Sequence, residues 1–299
     1  MARHLLTLQD LTSKEFLSIL DLSAAIKRSP GKYAKALAGK SLIMLFQKTS
    51  TRTRLSFEVG MTQLGGHAVF VDWKTSNFTL GALQDETRCL ARYGDIIMAR
   101  VNRHEDLVIM AHASSVPVIN GLSDAAHPCQ ALADLLTIKE KLRSLKGRKV
   151  AFIGDGNNVC HSLMEGCALA GASFSFAGPK EYWPGDDVVK FAKKSIDVRL
   201  TDDPKEAVRG ADVVYTDTWV SMGQEAESEK RLQAFMPYQV NEALLKESKA
   251  LVMHCLPAHR GYEITDGILD SHASVVFDQA ENRMHAQKAL MLFLLGVKP

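Results

Sequence analysis

The chain contains 299 residues, a length typical of one large or two medium-sized domains. Hydrophobic residues make up 46% and charged residues 23% of the chain, which is the composition of a globular protein able to bury a sizeable core. With 36 basic and 34 acidic side chains the formal net charge is +2, which argues against a nucleic-acid-binding surface but is compatible with a local cationic pocket.

The predicted elements begin with a helix and continue as an alternation of strands and helices. Thr12-Ser13-Lys14-Glu15 has the form of a capping box, and the apolar residues that follow recur at helical spacing. Short apolar runs, several of them continuous as in strands buried on both faces, then alternate with longer amphipathic segments. The runs predicted as strands are 41–46, 67–71, 95–100, 116–119, 149–153, 173–177, 197–200, 212–216, 250–254 and 274–277.

This alternation predicts an α/β protein in which parallel sheets are flanked by helices. The strands form two series, and the break lies near 141–149, a basic stretch with Gly147 that follows a long helix starting near Pro128. We therefore predict two doubly wound domains. The final segment, 280–295, has a strong helical pattern, whose spacing alone does not show where the helix packs.

The stretch after the first strand has the chemistry of an anion site. Ser50-Thr51-Arg52-Thr53-Arg54 lies between the run 41–46 and the helical pattern that starts at Leu55. A helix start offers free N–H groups and the positive end of the helix dipole, and arginine adds a planar guanidinium suited to phosphate. The alternative is a helix capped by Ser50 or Thr51 with surface arginines, but capping does not account for two arginines beside the hydroxyls.

The third strand ends in an arginine, Arg100. Ligands of open α/β sheets bind beyond the carboxyl ends of the strands, and a cation at the end of a buried strand needs an anionic partner. A salt bridge with Asp95, Glu105 or Asp106 is the alternative to a bound anion.

A histidine precedes the long helix that starts near Pro128. Proline suits the first helical position, which puts His127 at the cap and Gln130 in the first turn. We expect both side chains to face the same cavity as the 50–54 stretch, with a lone capping histidine as the alternative.

The fifth predicted strand is followed by Gly154-Asp155-Gly156-Asn157-Asn158-Val159, which superficially resembles a dinucleotide fingerprint. Val159 stands where the fingerprint needs a glycine or alanine, and the next strand ends in Phe176-Ala177-Gly178 without an acid for a ribose hydroxyl. We therefore predict no dinucleotide site. Asn157 and Asn158 are better suited to hydrogen-bonding a zwitterion.

An acid and a long polar stretch follow the run 212–216. Asp217 comes directly after this run, and the polar stretch 219–238 has Ser221-Met222-Gly223 near its start. Long loops in compact domains often act as lids, and a solvated surface excursion is the alternative.

A cysteine and an arginine complete the candidates. Cys255, in His254-Cys255-Leu256-Pro257, ends a buried run and is either an inert small hydrophobe or a reactive thiolate beside His254. Arg283 is predicted to open the last helix, where a cation opposes the helix dipole unless an anion is shared there.

The cysteines, the first ten residues and the length of the apolar stretches together indicate in which cellular compartment the protein resides. The odd, scattered set predicts neither a disulfide framework nor a structural zinc site; it comprises Cys89, Cys129, Cys160, Cys167 and Cys255. The first ten residues lack a signal pattern, and no apolar stretch approaches the roughly 20 residues that span a bilayer. We predict a cytoplasmic protein that binds neither membrane nor nucleic acid.

Taken together, the motifs resemble those of the aspartate/ornithine carbamoyltransferase family, in its ornithine-using form. The 50–54 stretch looks like the carbamoyl-phosphate loop of that family, and His127-Pro128-Cys129-Gln130 matches the ornithine form, because the aspartate enzymes carry threonine at the third position. The motifs at 155–158, 217–223 and 254–257 are similar to those on the amino-acid side of the family's site. The resemblance covers nearly the whole chain.

The resemblance implies a role for each candidate residue. The carbamoyl-phosphate-binding domain would comprise residues 1–143 with the C-terminal helix 283–299, and the ornithine-binding domain residues 144–282. Carbamoyl phosphate would be held by Ser50, Thr51, Arg52, Thr53, Arg100, His127 and Gln130, ornithine by Asn158, Asp217, Ser221 and Met222, and the reacting groups by Cys255, Leu256 and Arg283. The active site would lie between the domains.

The implied reaction transfers the carbamoyl group of carbamoyl phosphate to the side-chain amine of L-ornithine, which gives L-citrulline and phosphate. Arg100, His127 and Cys255 would be the catalytic residues, Cys255 either as proton acceptor or by positioning the amine. No metal or cofactor is expected, because backbone amides and arginines supply the positive field. The family assembles as trimers or multiples of trimers, and neighbouring subunits contribute to each site.

One position departs from the family pattern. Relatives commonly carry a glutamine where this chain has Asn77, whose amide has a reach shorter by one methylene. Asn77 is therefore a weaker candidate for a direct contact with phosphate.

Siblings that use acetylornithine, putrescine or aspartate are the nearest alternatives. Asp217 favours an acceptor with a free α-amine, which acetylornithine lacks, and Asn158 with the Ser-Met-Gly loop favours an α-carboxylate, which putrescine lacks. A nicotinamide-dependent dehydrogenase is disfavoured by the incomplete fingerprint, and a catalytically inactive relative by the intact polar set. Arginine biosynthesis and citrulline breakdown would use the same residues, so both directions stay open.

Overall fold

The computed structural model describes residues 2–220 and 225–297 and contains two all-parallel sheets. The chain divides into two compact units, of which the first comprises residues 1–136 and 281–299 and the second residues 137–280. The strands are β1 (Ser41–Phe46), β2 (His67–Asp72), β3 (Ile96–Arg100), β4 (Val118–Leu122), β5 (Lys149–Ile153), β6 (Ser173–Ala177), β7 (Val198–Thr201), β8 (Val213–Thr216) and β9 (Leu251–His254).

Helices connect these strands, as parallel pairing requires. In chain order they are α1 (Ser13–Arg28), α2 (Pro30–Tyr33), α3 (Thr51–Gln63), α4 (Leu83–Tyr93), α5 (His104–Ala113), α6 (Pro128–Leu142), α7 (Asn158–Ala170), α8 (Asp186–Ala192), α9 (Pro204–Val208), α10 (Ser228–Phe235), α11 (Glu242–Leu245), α12 (Asp266–Leu269) and α13 (Val276–Leu294). None of the helices in the described ranges is both long and apolar enough to cross a lipid bilayer.

The sheet of the first unit has the strand order β2-β1-β3-β4. The central strands β1 and β3 are almost fully buried, with Leu42 paired to Ile96 and Phe46 to Arg100 at the two ends of the register. Leu45 and Ile97 belong to the apolar core of this sheet. The edge strand β2 is largely exposed along its length.

The sheet of the second unit has the strand order β7-β6-β5-β8-β9. Phe152 on the central strand β5 stacks on Tyr215 of β8, with ring centroids 5.3 Å apart, and on Phe176 of β6, with centroids 6.3 Å apart. These side chains are fully buried, and the stack therefore ties the three middle strands together.

Both sheets have a topological switch point, where the chain leaves a central strand in one direction and later returns to its other side. In the first unit β1 lies between β2 and β3, and in the second β5 lies between β6 and β8. A crevice opens beyond the carboxyl ends of the strands at such a point. The switch point of the first unit therefore brings together the loops after β1 and β3. The switch point of the second unit brings together the loops after β5 and β8.

The structure confirms the predicted α/β class with two helix-flanked parallel sheets. Every run predicted as a strand from 41–46 to 250–254 contains or overlaps a strand. The last prediction, 274–277, is wrong, because helix α13 begins at Val276 and Ser274 forms only an isolated bridge with Val252. A short apolar run cannot be distinguished by periodicity from the first turn of a buried helix.

The C-terminal helix α13 packs on the first unit, as predicted. A Cβ atom added at Gly60 of α3 would be in ordinary van der Waals contact with α13, at 3.4 Å from Cγ of Lys288 and 3.7 Å from Cγ of Met284, so the two helices pack side by side. Lys27 of α1 also donates a hydrogen bond to Oδ1 of Asn282 at 2.8 Å. Arg283 lies in the second turn of α13 rather than opening it.

Replacement of Lys288 by methionine is expected to stabilise the protein. The Lys288 side chain is 1% exposed, its ammonium contacts Gln63, and burial lowers its pKa from the ordinary value. Methionine fills a similar volume without a charge to desolvate, so the free energy of unfolding in urea should rise by about 1 kcal/mol. K35M, at an exposed lysine, is the control that should change nothing. A lower stability of K288M would show that the ammonium is stabilising.

Candidate active site

The switch point of the first unit contains a helix start that is preorganised for an anion. Ser50 is the N-cap of α3, and its Oγ accepts a hydrogen bond from the Thr53 amide at 3.3 Å and donates one to Thr53 Oγ1 at 3.0 Å. The remaining amides at the start of a helix have no intrahelical acceptor. Thr53 is 1% exposed, and Thr51, the first helical residue, is exposed.

Three arginines surround His127 at this switch point. Burial is the largest cause that lowers the His127 pKa well below its ordinary value, and the charges of Arg283, Arg100 and Arg52 lower it further. The imidazole is therefore neutral at physiological pH, so it can donate one hydrogen bond without adding a charge. A site with this field attracts a multiply charged anion.

Arg283 contacts the two other polar groups of the cluster. Its Nη1 donates to Oε1 of Gln130 at 2.6 Å, and its Nη2 donates to Oγ1 of Thr53 at 3.3 Å. Arg283 is 3% and Gln130 2% exposed. Residues from β3, α3, α6 and α13 thus meet in one buried polar cluster.

The acids that were alternative partners of Arg100 make other contacts. Asp95 accepts from Nζ of Lys40 at 2.8 Å and from the Ser41 amide at 2.8 Å. Glu105 pairs with Arg103. Neither Asp95 nor Glu105 therefore forms a salt bridge with Arg100. Arg100 lies at the end of β3 and is 6% exposed.

Two residues near the anion site lie apart from this cluster. Arg54 pairs with Glu58 at 3.1 Å and lies over the ring of Phe70, 4.0 Å from its centroid, so only Arg52 of the two loop arginines acts on His127. Asn77 begins an exposed 3₁₀ turn, Asn77–Thr79.

Buried histidines make the stability pH-dependent. The pKa values of His127, His4, His104 and His285 are all lowered mainly by burial, so the unfolded chain protonates first as the pH falls below about 6.5. Stability should therefore fall on acidification. His127 alone should contribute about 1 kcal/mol of this loss at pH 5.5, measured by urea unfolding.

The control for this pH dependence compares two histidine variants. H127N should lose less stability than the parent between pH 7.5 and 5.5, whereas H67N, at an exposed histidine, should keep the parental slope. Asp155, whose pKa burial raises to about 7, works in the opposite direction over the same range. A parental slope in H127N would contradict a neutral, buried His127.

The switch point of the second unit centres on Asp217, the residue after β8 that is 6% exposed. Its Oδ1 accepts from Sγ of Cys255 at 2.9 Å, and its Oδ2 accepts from Nδ2 of Asn157 at 2.9 Å. A thiolate this close to a carboxylate would bring two like charges together, so the geometry favours the protonated thiol as donor.

His254 is held in one tautomer. Its Nδ1 accepts from the Leu256 amide at 2.9 Å, so the proton resides on Nε2, which lies 3.0 Å from Oε1 of Glu263. Both His254 and Glu263 are buried. The contact with Nδ1 also holds Leu256 at φ 59°, a left-handed conformation that is uncommon for leucine.

The 219–238 stretch is not one long loop. Residues 225–238 form α10 between two 3₁₀ turns, and buried Arg231 of α10 donates from Nε to the Trp219 carbonyl at 2.6 Å. Arg231 also pairs with Asp155. These two contacts of Arg231 anchor the segment. The prediction of a loop missed them, because the polarity of a sequence does not reveal a buried ion pair. Ser221 and Met222 lie outside the described residues.

The glycines at 154 and 156 serve the approach of the chain's own backbone. The Gly156 amide donates to the Tyr182 carbonyl at 2.8 Å, and a Cβ at Gly156 would lie 2.3 Å from the Pro184 nitrogen. Residues 182–184 fill the space beside Gly156, and the predicted absence of a dinucleotide site stays a prediction.

One of the two asparagines that were expected to hydrogen-bond a zwitterion contacts Asp217, and two further polar residues of this switch point were not among the sequence candidates. Asn157, rather than Asn158, contacts Asp217, and its Oδ1 also accepts from the amides of Val159 and Cys160 as the N-cap of α7. Asparagine before a helical pattern is a cap signal, so its position was readable from the sequence. Asn158 is the first residue of α7 and is half-buried. Glu263 and Arg231 carried no local signal.

A metal would have to compete with hydrogen bonds already made. Ligand atoms of Asp217, His254 and Cys255 lie within 4.8 Å of one another. Both ring nitrogens of His254 are engaged, one by the Leu256 amide and the other by Glu263. The predicted absence of a resident metal stays a prediction.

A two-unit α/β architecture with an anion site at one switch point and an acid–thiol pair at the other defines a recognisable class. The N-terminal part matches the family model "aspartate/ornithine carbamoyltransferase, carbamoyl-P binding domain" over residues 3–140, and the C-terminal part matches the "Asp/Orn binding domain" of the same family over residues 146–294. The chain belongs to the aspartate/ornithine carbamoyltransferase family.

Individual relatives are similar over the whole chain. An ornithine carbamoyltransferase of Pyrococcus horikoshii is 51% identical, over 98% of this chain and 96% of the relative. The solved structure of the ornithine carbamoyltransferase from Pyrococcus furiosus is 49% identical with a TM-score of 0.95, over 100% of this chain and 98% of that one. The enzyme of that name from Thermus thermophilus is 44% identical with a TM-score of 0.90, over 99% of both chains.

Proposed function

We propose that the protein transfers the carbamoyl group of carbamoyl phosphate to the side-chain amine of L-ornithine, which gives L-citrulline and phosphate. The observation that carries the proposal is the polar cluster beside the start of α3, where the charges of Arg283, Arg100 and half-buried Arg52 all act on a buried, neutral His127. Such a cluster suits a phosphate dianion whose attached carbonyl needs an uncharged donor.

Carbamoyl phosphate is assigned to residues 1–143 with the helical segment 283–299. The phosphate accepts hydrogen bonds from the amides of Thr51 and Arg52, from the Thr51 hydroxyl and from the guanidinium of Arg52, at a helix start that Ser50 and Thr53 hold in place by their mutual hydrogen bonds. Arg100 and His127 donate to the carbonyl oxygen, and Gln130, which is bonded to Arg283, borders the carbamoyl group. The match of the first family model to residues 3–140 supports this assignment.

Ornithine is assigned to residues 144–282. Asp217 binds the α-amine, and Asn158 hydrogen-bonds the α-carboxylate. Ser221 and Met222, which lie outside the described residues, are assigned to ornithine because they belong to the 217–223 motif of the family. The second family model begins at residue 146, which supports the boundary near residue 144, and it extends through residue 294 into the C-terminal segment. An acceptor with a free α-amine fits a buried carboxylate better than acetylornithine does.

The reaction requires an uncharged nucleophile. A side-chain amine has an ordinary pKa near that of lysine, about 10.4, so its deprotonation at neutral pH costs roughly 4 kcal/mol. Desolvation of the amine offsets this cost, because burial disfavours its charged form, while the Cys255 thiol, which is held by Asp217, and the backbone of Leu256 position the amine.

Attack on the carbamoyl carbon develops a negative charge on the carbonyl oxygen. Arg100, His127 and the Thr53 hydroxyl stabilise this oxyanion, each well-aimed donor contributing about 3 kcal/mol. The C–O bond to phosphate then breaks, and the phosphate dianion is retained by Arg52 and the α3 amides. The proton lost by the amine leaves to solvent or to phosphate.

Replacement of Cys255 by alanine is expected to reduce turnover about tenfold and to leave the KM for carbamoyl phosphate within twofold, because the thiol contacts Asp217, which is assigned to ornithine. The measurement is steady-state citrulline formation with each substrate varied. C160A, at a buried cysteine, is the matched control. An unchanged turnover number in C255A would leave Cys255 as a packing residue.

We also propose a homotrimer or a multiple of trimers. Apolar side chains on α3, on β2 and in the segment after β2 are exposed in the isolated subunit, and they comprise Leu55, Val59, Val69, Phe70 and Leu80. Covering such side chains is the usual function of a subunit interface. A neighbouring subunit would also provide a partner for Asn77, which is exposed in its own subunit. The native mass measured by light scattering tests this proposal.

Cytoplasmic arginine biosynthesis is the proposed setting. All five cysteines are free, as expected in a reducing compartment, and a Pyrococcus furiosus relative that is 50% identical is described as anabolic.

The decisive experiment is an assay of ureido-product formation from carbamoyl phosphate with ornithine, acetylornithine, putrescine and aspartate as separate acceptors. Ornithine should be preferred over each of the others by at least about 100-fold in kcat/KM, because a buried carboxylate discriminates against acceptors that leave it unpaired. Absence of product with every acceptor would overturn the proposal, and a preference for another acceptor would reassign the substrate.

A further inference from the structure

A buried carboxylate lies behind the anion site and belongs to none of the substrate-contacting groups. Asp134, on α6 one turn after Gln130, is 0% exposed. Its Oδ1 accepts a hydrogen bond from Nε2 of Gln130 at 2.7 Å. Aspartate is a poor residue for a helix interior, and burying its charge is costly, so helix formation does not account for it.

The contact determines which way the Gln130 amide points. The amide has one accepting and one donating end, and its two orientations fill the same space. Asp134 can only accept and Arg283 can only donate, because a carboxylate lacks protons and a guanidinium lacks lone pairs. Nε2 therefore faces Asp134, and Oε1 faces Nη1 of Arg283 at 2.6 Å.

The chain of hydrogen bonds continues to the start of α3. Nη2 of Arg283 donates to Oγ1 of Thr53 at 3.3 Å, and Oγ of Ser50, the N-cap, donates to the same oxygen at 3.0 Å. A chain of hydrogen bonds thus runs from Asp134 through Gln130, Arg283 and Thr53 to Ser50, and all of these residues except half-buried Ser50 are buried. Its far end is the helix start to which phosphate is assigned.

We propose that Asp134 is a positioning residue for the anion site, acting on Arg283 through Gln130. If the group at position 134 is neutral, only Arg283 still opposes the reversed orientation of the Gln130 amide, in which the NH₂ group faces the guanidinium, donor against donor. Arg283 moves away from Thr53 in that state. The inference rests on the proposed function, because its consequence is measured as turnover of carbamoyl phosphate.

The first test is a double-mutant cycle between Asp134 and Gln130. D134N should lower kcat/KM for carbamoyl phosphate about tenfold, since a charge-assisted hydrogen bond is replaced by a weaker neutral one. In the Q130A background the same change should have less than a twofold effect, because the mediator is gone. A full tenfold effect in Q130A, or parental kcat/KM in D134N, would overturn the inference.

The second test is rescue by reversal of the donor–acceptor pair. Q130E puts a carboxylate against Asp134, and the like charges should lower kcat/KM more than tenfold. In Q130E/D134N the amide at position 134 donates to the new carboxylate, which still accepts from Arg283, so kcat/KM should recover at least tenfold. Failure of the double variant to exceed Q130E, with both folded, would overturn the inference.

A control separates positioning from general loss of stability. T87V removes another fully buried hydrogen bond of the first unit, from Thr87 Oγ1 to the Leu83 carbonyl at 2.7 Å. It should lower the melting temperature and leave kcat/KM unchanged. Wild-type protein assayed in parallel separates the two proposals: no citrulline from wild type overturns the proposed function, whereas normal wild type with normal D134N overturns only the role of Asp134.

Discussion

Replacement of Arg52 by alanine is expected to lower kcat/KM for carbamoyl phosphate about 100-fold, the usual effect of removing one preorganised cationic donor from a developing charge. Arg52 lies in the first turn of α3 and acts on buried His127. Its guanidinium stabilises the leaving phosphate, so both kcat and the affinity for carbamoyl phosphate should fall. Steady-state citrulline formation and calorimetric titration of carbamoyl phosphate measure the two effects.

The neighbouring arginine is a matched control. Arg54 lies two residues further along α3, but it pairs with Glu58 and lies over Phe70. R54A should therefore remain within about twofold of the parent in kcat/KM, because an exposed ion pair of this kind contributes little. Equal losses in R52A and R54A would indicate a nonspecific effect of charge and would contradict the assignment of the phosphate to Arg52.

Replacement of Asp217 by asparagine is expected to lower kcat/KM for ornithine by about 100-fold or more. The buried carboxylate accepts from Cys255 and Asn157 and is assigned to the α-amine of ornithine. An amide of the same shape cannot provide the negative charge, and losing one partner of a buried charged pair costs about 3 kcal/mol. The affinity for carbamoyl phosphate, measured without ornithine, should stay unchanged.

The opposite end of the same strand provides the control. Asp212 lies just before β8 and pairs with Arg148 at 2.9 Å, far along the strand from Asp217. D212N should lower stability slightly and leave kcat/KM for ornithine unaltered. Parental kinetics in D217N would show that Asp217 does not bind the acceptor. The choice among the acceptor substrates of the family would then be open again.

The architecture was predictable because buried parallel strands have a simple signature. Continuous apolar runs such as 41–46 and 149–153 coincide with β1 and β5 to the residue, since both faces of each strand are covered. The wrong strand prediction at 274–277 also has a physical reason, because the buried first turn of a helix is as apolar as a short strand.

The location of the candidate site was also predictable in outline. Polar residues directly after buried strands, such as Arg100 and Asp217, are costly there without a ligand or a partner, and parallel strands bring such residues to one edge of a sheet. Local patterns likewise indicated Ser50 as a helix cap and His127 as the residue before a helix that begins at Pro128.

Contacts between distant segments were not predictable. Arg52 and Arg54 are equivalent in the local pattern, yet one acts on His127 and the other covers Phe70. The ion pair between Arg231 and Asp155 joins residues far apart in the chain. It anchors α10, which lies in the stretch that was predicted to be a loop.

Periodicity and turn chemistry are short-range properties, so the amino-acid order alone was enough to define the strands, the helix starts and the class of the fold. The partner of each buried charge depends on which segments the packing brings together, and residues as remote as Gln130 and Arg283 leave no mark on each other's local pattern. The assembly of the anion site, and the placement of Asp134 behind it, therefore emerged only from the folded chain.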